Sequence, residues 1–193
     1  MPLILASTSP IRRQLLGAAG VEHQAVGTDV DEAQLKARFD QAADIARELA
    51  KAKALSVSRI HPAEWVIGGD SVVEVEGRLF SKPRDRNEAA AHLRCFSGKT
   101  MNLTSAVSLA QGGEVDWCHD ESAHLHIRHL SDAFIADYLD AEWPEVGYCV
   151  GVFRLEGRGV QLFKRIDGDH FTILGLPLLP LLGALRDRGI LAG

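Results

Sequence analysis

Cysteine is scarce in this chain: three residues, Cys95, Cys118 and Cys149, stand far apart and odd in number among 193. No CxxC pair occurs, which argues against a disulfide-stapled scaffold and against a zinc ribbon, and in favour of a reducing, cytoplasmic setting. Long apolar runs are lacking too. The stretch Leu176–Leu182 is too short to span a bilayer and is interrupted by Pro177 and Pro180. There is no basic excess, since 21 Lys and Arg face 26 Asp and Glu for a net charge of −5. A protein that coats a nucleic-acid polymer needs the opposite balance, although a local cationic pocket for one phosphorylated small molecule stays open. The opening MPLILASTSP has no basic residue ahead of its apolar ones and does not read as a secretory signal. Repeats, low-complexity tracts and linkers are also missing.

What is present is an ordinary globular composition, 46% hydrophobic and 24% charged. The length fits a single domain over residues 1–193. Leu3–Ala6 reads as a short buried strand, then Ser7-Thr8-Ser9-Pro10 opens a helix to about Ala19, with Ser9 as N-cap and Pro10 at the first helical position. Thr28–Glu32 reads as an acidic loop and residues 42–57 as a helix. Trp65–Gly69 is expected as a second buried strand with Asp70-Ser71 at its end, and Val72–Phe80 as a hairpin turning at Glu76-Gly77. Asp85 and Glu88 mark a helix start. Strands at Thr100–Leu109 and Val115–Arg128 flank a turn at Gln111-Gly112-Gly113, and Ser131 caps a helix to about Ala141. A strand at Val160–Ile166 and a last helix at Leu176–Arg188 complete an alternating pattern, which favours α/β with a mostly central sheet.

Four groups of residues could do chemistry. In Ser7-x-Ser9-Pro10-x-Arg12-Arg13, two hydroxyls and two guanidinium groups meet the N-terminus of a helix, a set that suits phosphate; a capped helix with two solvated arginines gives the same letters. Asp70 follows a buried strand, where α/β proteins place ligands, although a turn aspartate also fits. Asp29, Asp31 and Glu32 could join a hard divalent cation or simply be solvated. Lys53 lies on a helix, and Lys82 is fixed in direction by Ser81 and Pro83. His124 and His126 alternate with Ala123, Leu125 and Ile127, the period of a half-buried strand, and form no recognised zinc frame. Other phosphate motifs fail: Ser97-Gly98-Lys99-Thr100 has Leu93 where a P-loop needs glycine, and Gly157-Arg158-Gly159 lacks the third glycine of a dinucleotide fingerprint.

Taken in order, these segments resemble the Maf family of nucleoside triphosphate pyrophosphatases over nearly the whole chain. The pieces are Leu5-Ala6-Ser7-Thr8-Ser9-Pro10-x-Arg12-Arg13, Val30-Asp31-Glu32, Leu49-Ala50-x-Ala52-Lys53-Ala54, Gly69-Asp70-Ser71-Val72-Val73 and Lys82-Pro83. Leu93 to Gly98, Glu156-Gly157, Ile166-Asp167-Gly168 and Gly175-Leu176-Pro177-Leu178 follow. The resemblance implies a twisted mixed central sheet with flanking helices, similar to the inosine-triphosphatase fold, in two lobes around a nucleotide cleft. It implies cleavage of a nucleoside triphosphate to the monophosphate and pyrophosphate, with Mg²⁺ or Mn²⁺ as the divalent cation and a homodimer as the assembly. It places phosphate binding at Ser7, Ser9, Arg12, Arg13, Lys53 and Lys82, metal at Glu32 and Asp70, and the catalytic role at Asp70. Asp70 would then either accept a proton from the attacking water or hold the metal.

The chain departs from the commonest family pattern at Ile11, where arginine is usual, at Ser71, often threonine, and at Glu156, glutamine in one subgroup. The resemblance ties these positions to base choice. An apolar residue after Pro10 together with Glu156 looks more like the subgroup that accepts 7-methyl-GTP than like the dTTP/UTP subgroup, because a carboxylate favours a cationic methylated base. Ser71 is not typical of that subgroup. Two other expectations compete: a nucleotide-sensing regulator of septum formation with little turnover, and an orthophosphate-releasing phosphatase on a similar scaffold. No membrane and no nucleic-acid polymer is expected as partner.

Overall fold

A computed structural model describes residues 2–193. The elements are β1 (Leu3–Ala6), α1 (Pro10–Ala18), β2 (Gln24–Ala25), α2 (Glu32–Lys36), α3 (Ala42–Ser58), β3 (Trp65–Val75), β4 (Arg78–Phe80) and α4 (Arg86–Phe96). They continue with β5 (Thr100–Gln111), β6 (Glu114–Ile127), α5 (Asp132–Glu142), β7 (Phe163–Asp167), α6 (His170–Ile173) and α7 (Leu178–Asp187). The strand order is β2-β1-β3-β5-β6-β7, with β4 attached to β3. β1 pairs parallel with β2 and β3, while β4 on β3 and β7 on β6 are antiparallel, so the sheet is mixed. Contacts divide the chain into two compact units. One comprises Met1–Ser71, Thr104–Ser122 and Asp169–Gly193; the other comprises Val72–Leu103 and Ala123–Gly168.

The first unit follows from the two-residue period of its strands. Leu3 and Leu5 of β1 join Leu15 and Leu16 of α1, Ile67 of β3 and Leu181 and Leu185 of α7 in one apolar layer. Ile4 and Ala6, pointing the other way, join Ala54 and Val57 of α3 and Val66 of β3. Both faces of β1 are therefore covered by helices, which is why its four residues are all apolar and buried. Each fully buried leucine or isoleucine here contributes about 1.5–3 kcal/mol of transfer free energy. The α3 backbone lies directly on β3 at Gly68, where an added Cβ would stand 2.1 Å from the Ala50 carbonyl oxygen and 2.6 Å from the Ala54 nitrogen.

In the second unit α4 packs on α5. Both helices are capped as their sequences predict: the Asp85 carboxylate accepts from the Glu88 N–H at 2.8 Å, and the Ser131 hydroxyl from the Phe134 N–H at 3.2 Å. Phe80 of β4 meets Phe96 of α4 edge to face, ring centroids 4.7 Å apart.

Several expected boundaries differ. β3 does not end at Gly69 but runs on to Val75, so Asp70 and Ser71 lie inside a strand; buried Val72, Val73 and Val75 and pairing with β4 carry it forward. The acidic stretch gives way to α2 because Asp31 caps it, accepting from the Gln34 N–H at 2.9 Å. Arg158–Leu162 forms a 3-10 turn, and the strand expected from Val160 starts only at Phe163. The last helix begins at Leu178, and the short α6 precedes it. Among the described residues no helix is long and apolar enough to cross a membrane.

The Gly68 contact yields a paired stability prediction. Gly68→Ala drives a methyl group into the α3 backbone and is expected to destabilise by about 3 kcal/mol or more. Gly17→Ala in α1, where an added Cβ has nothing within 4 Å, should be neutral or stabilise by about 0.5–1 kcal/mol. Thermal unfolding of both variants checks this, and equal melting temperatures would contradict the close approach.

Candidate functional site

β1 and β3 run parallel, with Ala6 opposite Gly68. Beyond that pair the chain after β1 turns through Ser7 into α1, while β3 continues through Asp70 and Ser71. Polar groups that follow parallel strands at their C-terminal ends are thereby gathered, the usual place for ligands in α/β sheets. Ser7, Arg12, Lys53 and Asp70 are all buried.

The close packing of α3 on Gly68 carries Lys53 to Asp70. The Lys53 ammonium donates to Asp70 Oδ1 at 2.6 Å and lies 2.6 Å from Glu32 Oε1. Glu32, the first residue of α2, also faces Lys36 at 3.6 Å. Two carboxylates therefore converge on one positive charge. Removing an ammonium from water is expensive, and the two partners offset that cost only because both reach it at hydrogen-bond distance.

Arg12 lies along the other side of this group. Its Nε donates to the Gly175 carbonyl at 2.7 Å, one terminal nitrogen to Ser7 Oγ at 3.3 Å and the other to Ser71 Oγ at 3.2 Å. Burial pulls the Arg12 pKa below the ordinary arginine value, while the Asp70 and Glu32 charges push it back up. Gly175 has φ +98°, a conformation that leaves glycine as the natural residue at this carbonyl. The Ser7 hydroxyl also accepts from the Ser9 N–H at 3.2 Å, which shapes the entry to α1.

Two residues of the opening motif take other positions. Ser9 occupies the N-cap of α1, but its side chain makes no capping hydrogen bond, contrary to the expectation from sequence. Arg13 is exposed and lies beside Gln14 and His23; one residue along a helix is about 100° around its axis, so adjacent arginines cannot share a face. Ile11 is half-buried and Asp29 exposed.

Lys82 and Glu156 belong to the second unit, and both are exposed. They share an electrostatic neighbourhood around Cys149. Burial pushes the Cys149 thiol up to about 11; the Glu156 charge adds to that, while Arg154 and Lys82 oppose it. The segment that carries Glu156 is tied down by Glu142, a buried carboxylate. Glu142 accepts from Arg154 at 2.9 Å and from the Arg158 N–H at 3.3 Å, so it holds residues on both sides of Glu156. On β6, His126 lies between Thr100 Oγ1 at 3.0 Å and Asp167 Oδ2 at 2.9 Å, and His124 meets Asn102 Oδ1 at 2.8 Å.

Sequence reasoning missed Ser105, Gly175, Glu142 and Arg154. Ser105 and Glu142 carry no local signal beyond being polar residues at core positions of an apolar strand and an amphipathic helix. Gly175 stands out in the sequence only as part of the late motif Gly175-Leu176-Pro177-Leu178.

A buried guanidinium, a buried lysine and two convergent carboxylates thus gather where parallel strands of an α/β sheet end and α2 begins. The Maf-like protein family matches residues 2–188, and the chain belongs to that family. A 7-methyl-GTP pyrophosphatase of Rhizobium meliloti is 46% identical over 191 residues, 97% of this chain and 96% of the relative. A nucleoside triphosphate pyrophosphatase of Bradyrhizobium diazoefficiens is 45% identical over 193 residues, 99% of this chain and 96% of the relative. Among solved structures, a nucleoside-triphosphatase (dITP/XTP pyrophosphatase) of Mycobacterium abscessus covers 98% of this chain and 96% of its own at 16% identity, with a TM-score of 0.48.

The Cys149 environment is testable by thiol labelling. A thiol raised from 9.0 to about 11 carries on the order of 100-fold less thiolate at pH 8, so native Cys149 should alkylate far more slowly with iodoacetamide than the unfolded chain. Glu156→Gln should speed the labelling and Lys82→Met should slow it, followed by mass spectrometry of the Cys149 peptide. Labelling that neither substitution changes would separate these side chains from the thiol.

Proposed function

We propose that this protein is a nucleoside triphosphate pyrophosphatase, hydrolysing the bond between the α and β phosphates to release a nucleoside monophosphate and pyrophosphate. The observation that carries the reading is the group of buried Arg12, Lys53 and Asp70, with the half-buried Glu32 reaching Lys53 from α2. Relatives at 45–46% identity named for this activity support it. Phosphoryl-group chemistry of this kind asks a protein for positioned positive charge more than for a covalent partner, because charge develops on several oxygens at once. Arg12 offers a fork fixed on three sides, and Lys53 a compact point charge.

Asp70 is the group assigned to the attacking water. Its carboxylate is buried and held by Lys53, so it keeps one orientation. In that place it either takes the proton of the water or holds a cation that activates it. Glu32 and Asp70 are hard oxygen donors that already meet at one positive charge, a donor set suited to Mg²⁺ or Mn²⁺. When bound, such a cation neutralises charge on the phosphate oxygens and lowers the pKa of a bound water. Among the described residues no group of three or more His, Cys, Asp or Glu side chains could hold a metal ion. Glu32 and Asp70 would hold such a cation. The family resemblance, rather than the geometry, carries the assignment of Ser9, Arg13 and Lys82 to phosphate and of Ile11 and Glu156 to the base. We take 7-methyl-GTP as the first substrate to test, because an anionic Glu156 favours a cationic base.

The test is product analysis on UTP, dTTP, CTP, GTP and 7-methyl-GTP with Mg²⁺ or Mn²⁺, with pyrophosphate and orthophosphate quantified separately. Pyrophosphate from one or a few nucleotides is expected, with chelation abolishing turnover. Asp70→Asn should keep nucleotide binding and lower kcat by about 10²–10⁴-fold. Release of orthophosphate alone would replace this reading with another phosphatase chemistry. Tight nucleotide binding without turnover would replace it with a nucleotide sensor.

A further inference from the structure

Ser105 of β5 is fully buried and lies in a hydrogen-bonded line that begins at Arg12. The line runs from the Arg12 terminal nitrogen to Ser71 Oγ at 3.2 Å, from Ser71 Oγ to Ser105 Oγ at 2.8 Å, and from Ser105 Oγ to the Thr172 carbonyl at 2.8 Å. Its proton order is forced. A guanidinium only donates and a carbonyl only accepts, and each hydroxyl owns one proton. Ser105 must give its proton to Thr172, so it can only accept from Ser71. Ser71 in turn spends its proton on Ser105 and accepts from Arg12.

The far end of this line is firmly anchored. Thr172 is fully buried; its N–H donates to Asp169 Oδ1 at 2.9 Å and its hydroxyl to Glu121 Oε2 at 2.6 Å. The Thr172 carbonyl also accepts the Gly175 N–H at 3.0 Å, closing a tight turn. The carbonyl of that same Gly175 accepts from Arg12 Nε at 2.7 Å. One turn, residues 172–175, therefore holds the guanidinium twice: directly at Nε, and through Ser105 and Ser71 at a terminal nitrogen. With Ser7 on the other terminal nitrogen, three of the five guanidinium N–H groups are committed. One N–H remains on each terminal nitrogen, a fork matched to two oxygens of a phosphate.

We propose that Ser105 is a positioning residue for the phosphate-binding fork of Arg12, acting through Ser71. The proposal rests on the functional reading above for the role of Arg12. With its proton committed to Ser105, Ser71 has none to donate to a nucleobase, and the position that the family resemblance ties to base choice also supports the Arg12 fork.

The experiment is a mutant cycle of Ser71→Ala, Ser105→Ala and the double variant, with Arg12→Lys as a second background. Two readouts are taken: kcat and KM on the nucleotide that the wild type turns over best, and thermal stabilisation by inorganic tripolyphosphate with Mg²⁺. Each single serine variant should lower kcat/KM roughly 10-fold, since a small misplacement of a binding group costs that much or more. The double variant should be no worse than either single one within about 2-fold, as expected for residues that act as one unit. Both serine substitutions should be nearly silent on Arg12→Lys, which lacks the fork. Ser105→Cys, close to serine in shape but a weak donor and acceptor, should fold as the wild type does and lose activity in the same direction. Losses that multiply in the double variant, wild-type activity in Ser105→Ala or Ser105→Cys, or full effects on Arg12→Lys would overturn the proposal. A wild type that is stabilised by tripolyphosphate but turns over no nucleotide would end the pyrophosphatase reading while the stabilisation cycle still decides the role of Ser105. A wild type that tripolyphosphate does not stabilise would overturn both.

Discussion

The contact on which the site depends is the one between the α3 backbone and β3 at Gly68. A helix over a sheet is ordinarily held off by side chains on both surfaces. Here the strand offers no side chain and the helix offers alanines, Ala50 and Ala54, so the two backbones meet. Lys53 precedes Ala54 in the helix and Asp70 follows Gly68 by two in the strand, on the same face by the period of β structure. The approach of the two elements thus sets the 2.6 Å pairing of Lys53 with Asp70 before any ligand is considered. An apolar packing decision, small residue against small residue, fixes an electrostatic one.

That electrostatic arrangement is balanced at rest. Arg12 and Lys53 carry two positive charges, and Asp70 and Glu32 two negative ones, so the group is neutral as a whole. Neutrality makes its burial tolerable: Lys53 has both carboxylates at short range, while Arg12 is satisfied by neutral acceptors and feels Asp70 and Glu32 only at longer range. A triphosphate brings several negative charges into the same place and upsets the balance. Among the described residues Arg12 and Lys53 are the buried cations, and under the proposed function a divalent cation from solution would add to them.

Much of this was legible in the sequence where the signals are local. The β1 strand, the proline at the start of α1, the caps Asp85 and Ser131 and the long apolar stripe of α3 each depend on neighbours within a few residues, and each is found where the pattern puts it. Asp31 and Gln34 also formed a local start signal for α2, which the acidity of the stretch obscured. Other features depend on partners far along the chain. β3 is long because Val73 finds Phe80 across the sheet, β2 is only two residues and exists by pairing with β1, and Ser105 meets Thr172 across 67 positions. The twin arginines show the limit from the other side. Arg12 and Arg13 are equivalent as letters in a motif, but helical geometry sends one into the core and the other to the surface.

The two buried cations divide their work according to their chemistry. Lys53 carries its charge on one atom with three rotatable donors, and its present partners are carboxylates that a bound cation would also use. Its contacts can therefore be exchanged as charge enters the site without loss of its position on α3. Arg12 is the reverse case. Its planar group is fastened at Nε and at both terminal nitrogens by neutral acceptors that have no reason to leave when an anion arrives. Neutral acceptors hold the plane without forming a direct ion pair with it, so under the proposed function its remaining N–H groups would stay available to an anion. A carboxylate in place of Ser71 would hold the same geometry and spend the charge. The hydroxyl line from Arg12 to Thr172 is thus a form of support that fixes direction without pairing the charge, as the proposed role of Arg12 toward phosphate would require.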